Sequence, residues 1–451
     1  MRRPSPPAPP APPVQPVVLG GDIGAYSLAR AAHEAYGVRT TVVSSFATGP
    51  VRRSRVVDHV VEPGVDEPEV AVAVLRRLAD RHEAEGSGAP LLLLGSADRA
   101  VRLLVENRAD LEDRYVLPYV GRDLLDRMTD KEGFGAVCAE LGIPSPRTVV
   151  VDVQRDARAA GGPGVDVGRT VGGGDPLTFP VIAKAASTTA YAGVSFPGKQ
   201  KVFQVAGAAE LDDLVDVLAR AGYQGTFLVQ DLVPGDDAGM RILTCYSDRR
   251  ARVRFSSFGR VLLEEHTPGA LGNPAGIVTG GGAEVAEQAT RLLEHVGWTG
   301  YANFDLKVDP RDGRAVFFEL NPRLGRSNYY VTASGQNPLE LYVREHLQGL
   351  DPLPPGAPAL ADAERLYTVL PPALLLRYVA DPALRARVRS LVRSGRAVDP
   401  LRYRPERDPR RLAYVAAAHL NQVRKFREHY PLERARAVRA EAEALTRRAG
   451  A

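Results

Sequence analysis

The stretch YANFDLKVDPRDGRAVFFELNPRLG, residues 301–325, contains two runs of alternating apolar residues joined by a segment rich in turn-forming residues. Asp312 and Gly313 form a dipeptide typical of tight turns, so the stretch predicts a β-hairpin. Asp305 and Glu319 lie at equal distances from position 312 along the chain. Pairing of the two strands therefore predicts that these carboxylates lie nearly opposite each other.

The second strand of this hairpin carries polar side chains on one face. Glu319, Asn321 and Arg323 follow one another at intervals of two residues, and alternate residues of a strand point to the same side. Hard divalent cations prefer oxygen ligands and often complete their coordination with nucleotide phosphates, so Asp305, Glu319 and Asn321 form a candidate metal site. A salt-bridged solvent face is the alternative. The apolar run VFFEL, residues 316–320, favours a buried strand.

Lysine is rare in this chain, and its positions are informative. Only six of the 58 basic residues are lysine, which indicates positions that require a compact ammonium group. Lys131 begins a predicted helix, and Lys184 ends the apolar strand PVIAK. The loop ASTTAYAG, residues 186–193, is rich in small residues whose amides can approach phosphate oxygens, and it leads to Lys199 and Lys201. Alone, each lysine is more often structural or solvated, but together with a metal site they predict nucleotide binding.

A strand that ends in a turn, LVQDLVPGDD at residues 228–237, supplies a candidate adenosine site. A strand edge that turns at Pro234 and Gly235 can offer the peptide groups of residues 231–233 to an adenine ring. Asp237, just after the turn, can accept hydrogen bonds from ribose hydroxyls. An ordinary turn is the alternative, because Pro-Gly-Asp-Asp is a common turn sequence.

The N-terminal region has the pattern of a parallel α/β domain. Residues 1–15 are rich in proline and lack the apolar segment of a signal peptide, which predicts a disordered tail, with a role as a peptide ligand as the alternative. From residue 17 onward a strand, a helix and a strand follow in order. Gly20, Gly21 and Gly24 do not have the GxGxxG spacing of dinucleotide-binding turns, so a tight strand-to-helix turn is the better explanation.

Composition limits the classes of function. Of the 451 residues 44% are hydrophobic and 25% charged, as in globular proteins that bury a core, and no apolar run is long enough for a membrane helix. Cys138 and Cys245 lack the spacing of a disulfide framework or zinc site, which favours a cytoplasmic location. Residues 361–451 hold 20 basic and 10 acidic side chains. A solvated helical surface is the commoner explanation of this excess, and an anionic partner is the alternative.

In this order the motifs resemble those of the ATP-grasp superfamily over residues 118–349. The matching elements are DK at 130, FPVIAK ending at 184, VQDLVPGDD from 229, FDLK from 304 and FELNPR from 318. The resemblance implies that Lys131 and Lys184 bind phosphate and that Gln230, Asp231, Leu232 and Val233 form the adenine hinge. It implies that Asp237 is the ribose ligand and that Asp305, Glu319 and Asn321 are the metal ligands. Arg323 is then the arginine that contacts the acyl phosphate. ATP is the implied cofactor, with Mg²⁺, or alternatively Mn²⁺, as the ion.

Within the superfamily the chain resembles the carboxylate–amine ligases of the D-aspartate ligase type. The resemblance rests on the basic C-terminal extension and on FPGKQKVF at 196–203, PGDDAGMRILTCYSD at 234–248 and EEHTPGALGNPAG at 264–276. Two positions depart from family patterns. Ala185 follows Lys184 where proline is frequent, and Asn303 stands where D-alanine ligases have an arginine, which counts against D-alanine ligase chemistry.

The resemblance implies an α/β and α+β fold. The expected parts begin with the tail 1–15 and an N-terminal parallel α/β (pre-ATP-grasp) domain 16–118. The ATP-grasp domain follows, with a small α+β subdomain 119–225 and a large α+β subdomain 226–350 that carries the metal site. A mainly helical, basic extension 351–451 comes last.

The expected reaction is ATP-dependent formation of an amide between a small carboxylate and an amine, both amino acid or peptide-like, through an acyl phosphate. Arg323 and Lys201 are the candidate catalytic residues, and His266 and Arg326 are candidate substrate contacts, although a surface-loop role is the commoner one for a residue such as His266. No nucleic acid partner is expected, and a homo-oligomer is left open. A bicarbonate-activating carboxylase or carbamoyl phosphate-forming enzyme, and a non-catalytic nucleotide-binding regulatory module, are the alternatives.

Overall fold

The computed structural model describes residues 13–171, 175–186, 190–191 and 193–449, and these residues form three sheets. The first is a parallel sheet in the order β3-β2-β1-β4-β5, as expected for strands that alternate with helices. Its strands are β1 (Gln15–Leu19), β2 (Thr40–Ser44), β3 (Val57–Val61), β4 (Leu91–Gly95) and β5 (Tyr115–Val116). The helices between them are α1 (Ile23–Tyr36), α2 (Pro68–Ala84) and α3 (Asp98–Glu106).

The second sheet is antiparallel and has the order β6-β9-β7-β8. It consists of β6 (Thr148–Asp152), β7 (Val181–Ala185), β8 (Phe203–Val205) and β9 (Thr226–Asp231). The neighbouring helices are α4 (Arg122–Thr129), α5 (Lys131–Leu141), α6 (Val153–Asp156) and α7 (Ala208–Arg220). The Asp130 carboxylate accepts hydrogen bonds from the second and third amides of α5, and Gly142 ends that helix in the left-handed region, as the sequence predicts.

The third sheet has seven strands in the order β14-β13-β10-β11-β12-β15-β16. They are β10 (Met240–Ser247), β11 (Val253–Glu264), β12 (Pro274–Thr279), β13 (Gly300–Val308), β14 (Ala315–Asn321), β15 (Leu366–Thr368) and β16 (Ala397–Val398). Helix α8 (Ala283–Val296) connects β12 to β13, and α9 (Tyr329–Ala333) and α10 (Pro338–Tyr342) lie between β14 and β15. The predicted hairpin at residues 301–325 is the β13–β14 pair.

Residues 351–451 are mainly helical, as expected, but they also complete the third sheet with β15 and β16. The helices are α11 (Pro372–Tyr378), α12 (Pro382–Arg393), α13 (Pro409–His429) and α14 (Leu432–Ala449). Within the described ranges, none of the helices combines the length and the apolar character needed to cross a membrane. Residues 1–12 of the predicted proline-rich tail lie outside the described residues. Its last residues belong to the folded region, because Val14 is buried and Gln15 begins β1.

A buried ion pair links the C-terminal helices to the N-terminal region. Arg411 of α13 lies 3.2 Å from Glu406, and their side chains are 0% and 2% exposed. Glu406 also accepts hydrogen bonds from the hydroxyls of Tyr26 and Ser54, and the Arg411 guanidinium lies 4.4 Å from the centroid of the Tyr26 ring. Val415 of α13 belongs to the same hydrophobic core as α1. The extension is therefore part of the folded body.

Replacement of Glu406 by alanine is expected to lower the free energy of unfolding by about 3 to 5 kcal/mol, because it leaves Arg411 charged and buried without its partner. Glu443→Ala on α14 is the matched control, since the Glu443 side chain is 62% exposed and its only ion pair is 4.0 Å long within the described residues. The control is expected to change stability by less than about 0.5 kcal/mol. Urea unfolding measures both variants, and equal losses would contradict the special role of the buried pair.

Candidate active site

The β13–β14 hairpin brings the predicted carboxylates together. Asp305 and Glu319 are direct cross-strand partners, and Asn303 pairs with Asn321 two residues away. A β-bulge lies next to the Asp305–Glu319 pair, between Asp305 and Leu306. The predicted register of the hairpin at its functional end is therefore confirmed.

The two carboxylates have opposite pKa shifts. Burial and the charge of Glu319 raise the pKa of Asp305 to about 7, although Arg323 opposes this shift. The neighbouring ammonium of Lys131 lowers the pKa of Glu319 to about 2. Lys131 Nζ lies 2.5 Å from Glu319 Oε2. Lys131 therefore favours the ionised form of Glu319, whereas burial and the neighbouring carboxylate disfavour ionisation of Asp305.

Lysines from different elements meet at this hairpin. Lys131 is the first residue of α5, Lys184 lies on β7, and Lys201 precedes β8. Burial and the neighbouring charge of Lys131 lower the pKa of Lys184 to about 7, and Lys201 adds to this shift. The Lys201 ammonium also donates to the Leu271 carbonyl at 3.1 Å. Mutual repulsion among these ammonium groups favours an anionic ligand between them.

The donor set fits a hard divalent cation in charge and in ligand type. Asp305 and Glu319 supply carboxylate oxygens, and Asn321 supplies an amide. As placed, Asn321 Nδ2 donates to Asp305 Oδ2 at 3.1 Å, and its Oδ1 lies 3.5 Å from Arg323 Nη2, so coordination by the amide oxygen requires the amide to turn. Among the described residues, no group of three or more His, Cys, Asp or Glu side chains is arranged to hold a metal.

The predicted hinge lies at the end of β9. The buried Gln230 side chain donates to the Thr148 hydroxyl at 2.9 Å, and Arg147 makes a two-pronged ion pair with Asp231 at 2.6 and 3.1 Å. In the part of the chain that is described, no protein group accepts a hydrogen bond from the main-chain amide of Val233. These contacts stiffen the start of the hinge and leave the amide at its end available to a ligand.

A cavity of about 340 Å³ lies against this hinge. Its lining includes Asp231, Leu232 and Pro234 of the hinge and Phe179 before β7. Leu445 of α14 lines it as well, so the last helix of the C-terminal extension reaches the hinge.

Asp237 lies beyond the hinge and is held by two donors. Its Oδ2 accepts a hydrogen bond from the amide of Glu264 at 2.9 Å and lies 2.8 Å from His266 Nε2. The side chains of Asp237 and His266 are 14% and 16% exposed. His266 lies in the loop between β11 and β12, and its side chain is largely buried beside a candidate ligand residue.

The two arginines that follow β14 face other parts of the protein. Arg323 makes a two-pronged ion pair with Asp98, the first residue of α3, with both N–O distances 3.0 Å. Arg326 binds the buried Glu265 at 2.8 Å. Both arginines therefore lie where the hairpin meets other elements, and only Arg323 lies beside the candidate metal ligands.

Two charged residues at the site were not singled out from the sequence. Burial and the carboxylate of Asp237 raise the pKa of Glu264 to about 8, with a smaller contribution from Asp305. Burial lowers the pKa of Lys307, whose ammonium donates to the Gly235 carbonyl at 2.7 Å. Both lie within motifs quoted above, EEHTPG and FDLK, but only strand pairing reveals which neighbours they meet.

The predicted phosphate loop at residues 186–193 cannot be assessed as a whole. Residues 187–189 and 192 lie outside the described residues.

Comparison with known proteins identifies the family. No family model matches the sequence. A D-aspartate ligase of Enterococcus faecium strain Aus0004 is 30% identical over 416 residues, which cover 92% of this chain and 96% of that protein. The chain belongs to the ATP-grasp carboxylate–amine ligases. It is thus an ATP-dependent enzyme that forms a C–N bond.

Two solved structures share the fold of this ligase. The L-amino acid ligase from Bacillus licheniformis has a TM-score of 0.51 at 15% identity, with 74% of each chain covered. The N5-carboxyaminoimidazole ribonucleotide synthetase from Thermus thermophilus has a TM-score of 0.52 at 18% identity, with 78% of this chain and 82% of that chain covered. The expected fold, a parallel α/β region followed by an ATP-grasp region and C-terminal helices, is confirmed.

The pKa of Lys184 can be measured directly in this ligase, because the chain has only six lysines. After reductive methylation with ¹³C-formaldehyde, one dimethyl-lysine resonance is expected to titrate at about pH 7 and to be missing in Lys184→Arg. Lys131→Met removes a neighbouring positive charge and should raise this pKa, whereas Glu319→Gln removes a negative one and should lower it. A pKa that stays the same in both variants would contradict the clustering of these charges.

Proposed function

We propose that this ligase activates the carboxylate of an amino acid with ATP and joins it to an amine. A carboxylate oxygen attacks the γ-phosphorus, and the bond to ADP breaks to give an acyl phosphate. The amine then attacks the acyl carbon, the C–N bond forms, phosphate leaves and the amine loses a proton. The observation that carries the proposal is the meeting of Lys131 and Lys184 with Asp305 and Glu319.

The proposed phosphate site uses charges of both signs. Lys131, Lys184 and Lys201 would offset the negative charge on the transferring phosphoryl group. Asp305, Glu319 and Asn321 would hold Mg²⁺, or Mn²⁺ in its place, and the bound ion supplies further charge neutralisation. Lys131 and Glu319 form a 2.5 Å ion pair with each other. A bound cation would take the place of Lys131 beside Glu319, and a bound phosphate would take the place of Glu319 beside Lys131. Before ligands bind, the Lys131–Glu319 ion pair would therefore neutralise the charge of both side chains.

The proposed nucleoside site continues from the phosphate site. The peptide groups from Gln230 to Val233 would bind the adenine edge, and the amide of Val233 is free for this purpose among the described residues. Asp237 would accept hydrogen bonds from the ribose hydroxyls.

The proposed acceptor side lies between the β13–β14 hairpin and the N-terminal region. Arg323 would hold the reacting carboxylate and then stabilise the tetrahedral oxyanion. Arg326 and His266 are proposed substrate contacts. The name of the Enterococcus faecium relative makes D-aspartate the first carboxylate to test, with an amino acid or peptide as the amine.

The decisive measurement is ADP release with Mg²⁺ and ATP against D-aspartate, other amino acids, dipeptides and bicarbonate, added singly and in pairs. Release is expected to require a carboxylate and an amine together, because the acyl phosphate is consumed only by an amine. Mass spectrometry is expected to show a product lighter by one water than the sum of the two substrates.

Other outcomes of this assay would overturn the proposal. Release with bicarbonate alone would assign the chain to the carboxylases. Tight ATP binding without release for any pair would favour a nucleotide-binding regulatory role.

Arg323→Lys is expected to reduce ligation at least about a hundredfold while ATP affinity changes less than about threefold, since a lysine cannot make the same two-pronged contact. Steady-state ligation and calorimetric ATP binding measure the two effects. Asp98→Asn is the matched control, because it removes the other half of the Arg323–Asp98 ion pair and leaves the guanidinium in place. An equal loss in Asp98→Asn would assign Arg323 to structural support.

A further inference from the structure

An aromatic stack joins the C-terminal helices to the loop that carries His266, the hydrogen-bond partner of Asp237. The ring of His266 lies face to face with that of Tyr430, with centroids 3.4 Å apart and planes at 5°. Phe426 contacts the same histidine ring edge-on at 6.5 Å. Tyr430 connects α13 to α14 and is 4% exposed. The two helices therefore determine where the imidazole ring lies.

Tyr430 itself is held firmly. The hydroxyl of Tyr378 on α11 donates to the Tyr430 carbonyl at 2.7 Å, and the two rings are stacked at 6.0 Å. No described residue makes a hydrogen bond to the Tyr430 hydroxyl, so the ring of Tyr430 acts on His266 through its face.

His266 passes this constraint on to Asp237. A carboxylate only accepts hydrogen bonds, so the 2.8 Å contact requires a proton on Nε2 of His266. The Glu264 amide donates to the same oxygen, Oδ2. With two donors on Oδ2, rotation of the carboxylate is restricted. Within the described ranges Oδ1 receives no protein hydrogen bond, and it is the oxygen left for a ligand.

A second contact from the extension acts on the adjacent residue. Arg439 of α14 makes a 2.8 Å ion pair with Asp236 and donates to the Tyr378 carbonyl at 3.2 Å. The other oxygen of Asp236 accepts from the Ala238 amide at 3.1 Å, which shapes the turn around Asp237. Contacts from α13 and α14 therefore converge on both aspartates after the hinge.

We infer that the C-terminal helices complete the nucleotide site, and that His266 and Tyr430 are positioning residues that orient Asp237 toward the ribose hydroxyls. This inference rests on the proposed function, in which Asp237 is the ribose ligand. Tyr430 is proposed to act on Asp237 through its ring stack with His266.

A ribose-specific measurement tests the inference. Calorimetry with Mg²⁺ gives the Kd of ADP, 2′-deoxy-ADP and 3′-deoxy-ADP, and it needs no acceptor substrate. The wild-type ligase is expected to prefer ADP by about tenfold over at least one deoxynucleotide, the usual size of one hydrogen bond to a charged group. Asp237→Asn should remove most of this preference.

His266→Ala and Tyr430→Leu are expected to reduce the preference to about twofold or less by weakening ADP binding, with little change for the deoxynucleotide. Tyr430→Phe keeps the ring and should retain the wild-type preference. Leu420→Ala, at a side chain of α13 that is 72% exposed, controls for nonspecific effects on this helix. His266→Ala provides the test if Tyr430→Leu does not fold.

Each outcome decides one step. Retention of the full preference in His266→Ala, alongside its loss in Asp237→Asn, would overturn the inference and leave Asp237 as the ribose ligand. Equal weakening of all three nucleotides would also overturn it, because that is the effect of a merely structural contact. Absence of any preference in the wild type would refute the ribose role of Asp237 together with the inference, whereas amide ligation is tested separately by product formation.

Discussion

The close approach of like charges is the constraint on which the site depends. Asp305 faces Glu319 across two paired strands, and Lys184 lies beside Lys131. The two carboxylates repel each other, and so do the two ammonium groups. The 2.5 Å contact between Lys131 and Glu319 offsets part of both repulsions. The lysines come from α5 and β7, so the second and third sheets must meet for this compensation to exist. An anionic nucleotide and its cation, bound as proposed, would relieve the repulsion that remains.

The C-terminal helices have a larger part in this ligase than a basic appendage would have. Arg411 and Glu406 form a buried ion pair against α1, and β15 and β16 extend the third sheet. The same helices stack Tyr430 on His266 and pair Arg439 with Asp236. Part of the positive charge of this region is thus used inside the fold, and a solvated helical surface describes only the rest.

Family membership and the geometry support the same chemistry at different levels of detail. Similarity over 92% of the chain identifies an ATP-dependent carboxylate–amine ligase. The charges around Asp305 and Lys184 support the proposed phosphate site, and the position of Arg323 beside the candidate metal ligands supports its proposed role at the reacting carboxylate. On the proposed acceptor side, Arg326 and Glu265 already pair with each other.

The sequence by itself determined local features: the hairpin register that pairs Asp305 with Glu319, the cap of α5 at Asp130 and the order of motifs that indicates the family. These depend on turn chemistry, strand period and capping, which act over a few residues. Only the tertiary structure decided that Glu264 and Lys307 join the site, that Arg323 pairs with Asp98, and that Tyr430 supports His266. Such contacts join residues far apart in the chain, and they exist because packing of separate elements, not local propensity, determines which side chains share a low-dielectric environment.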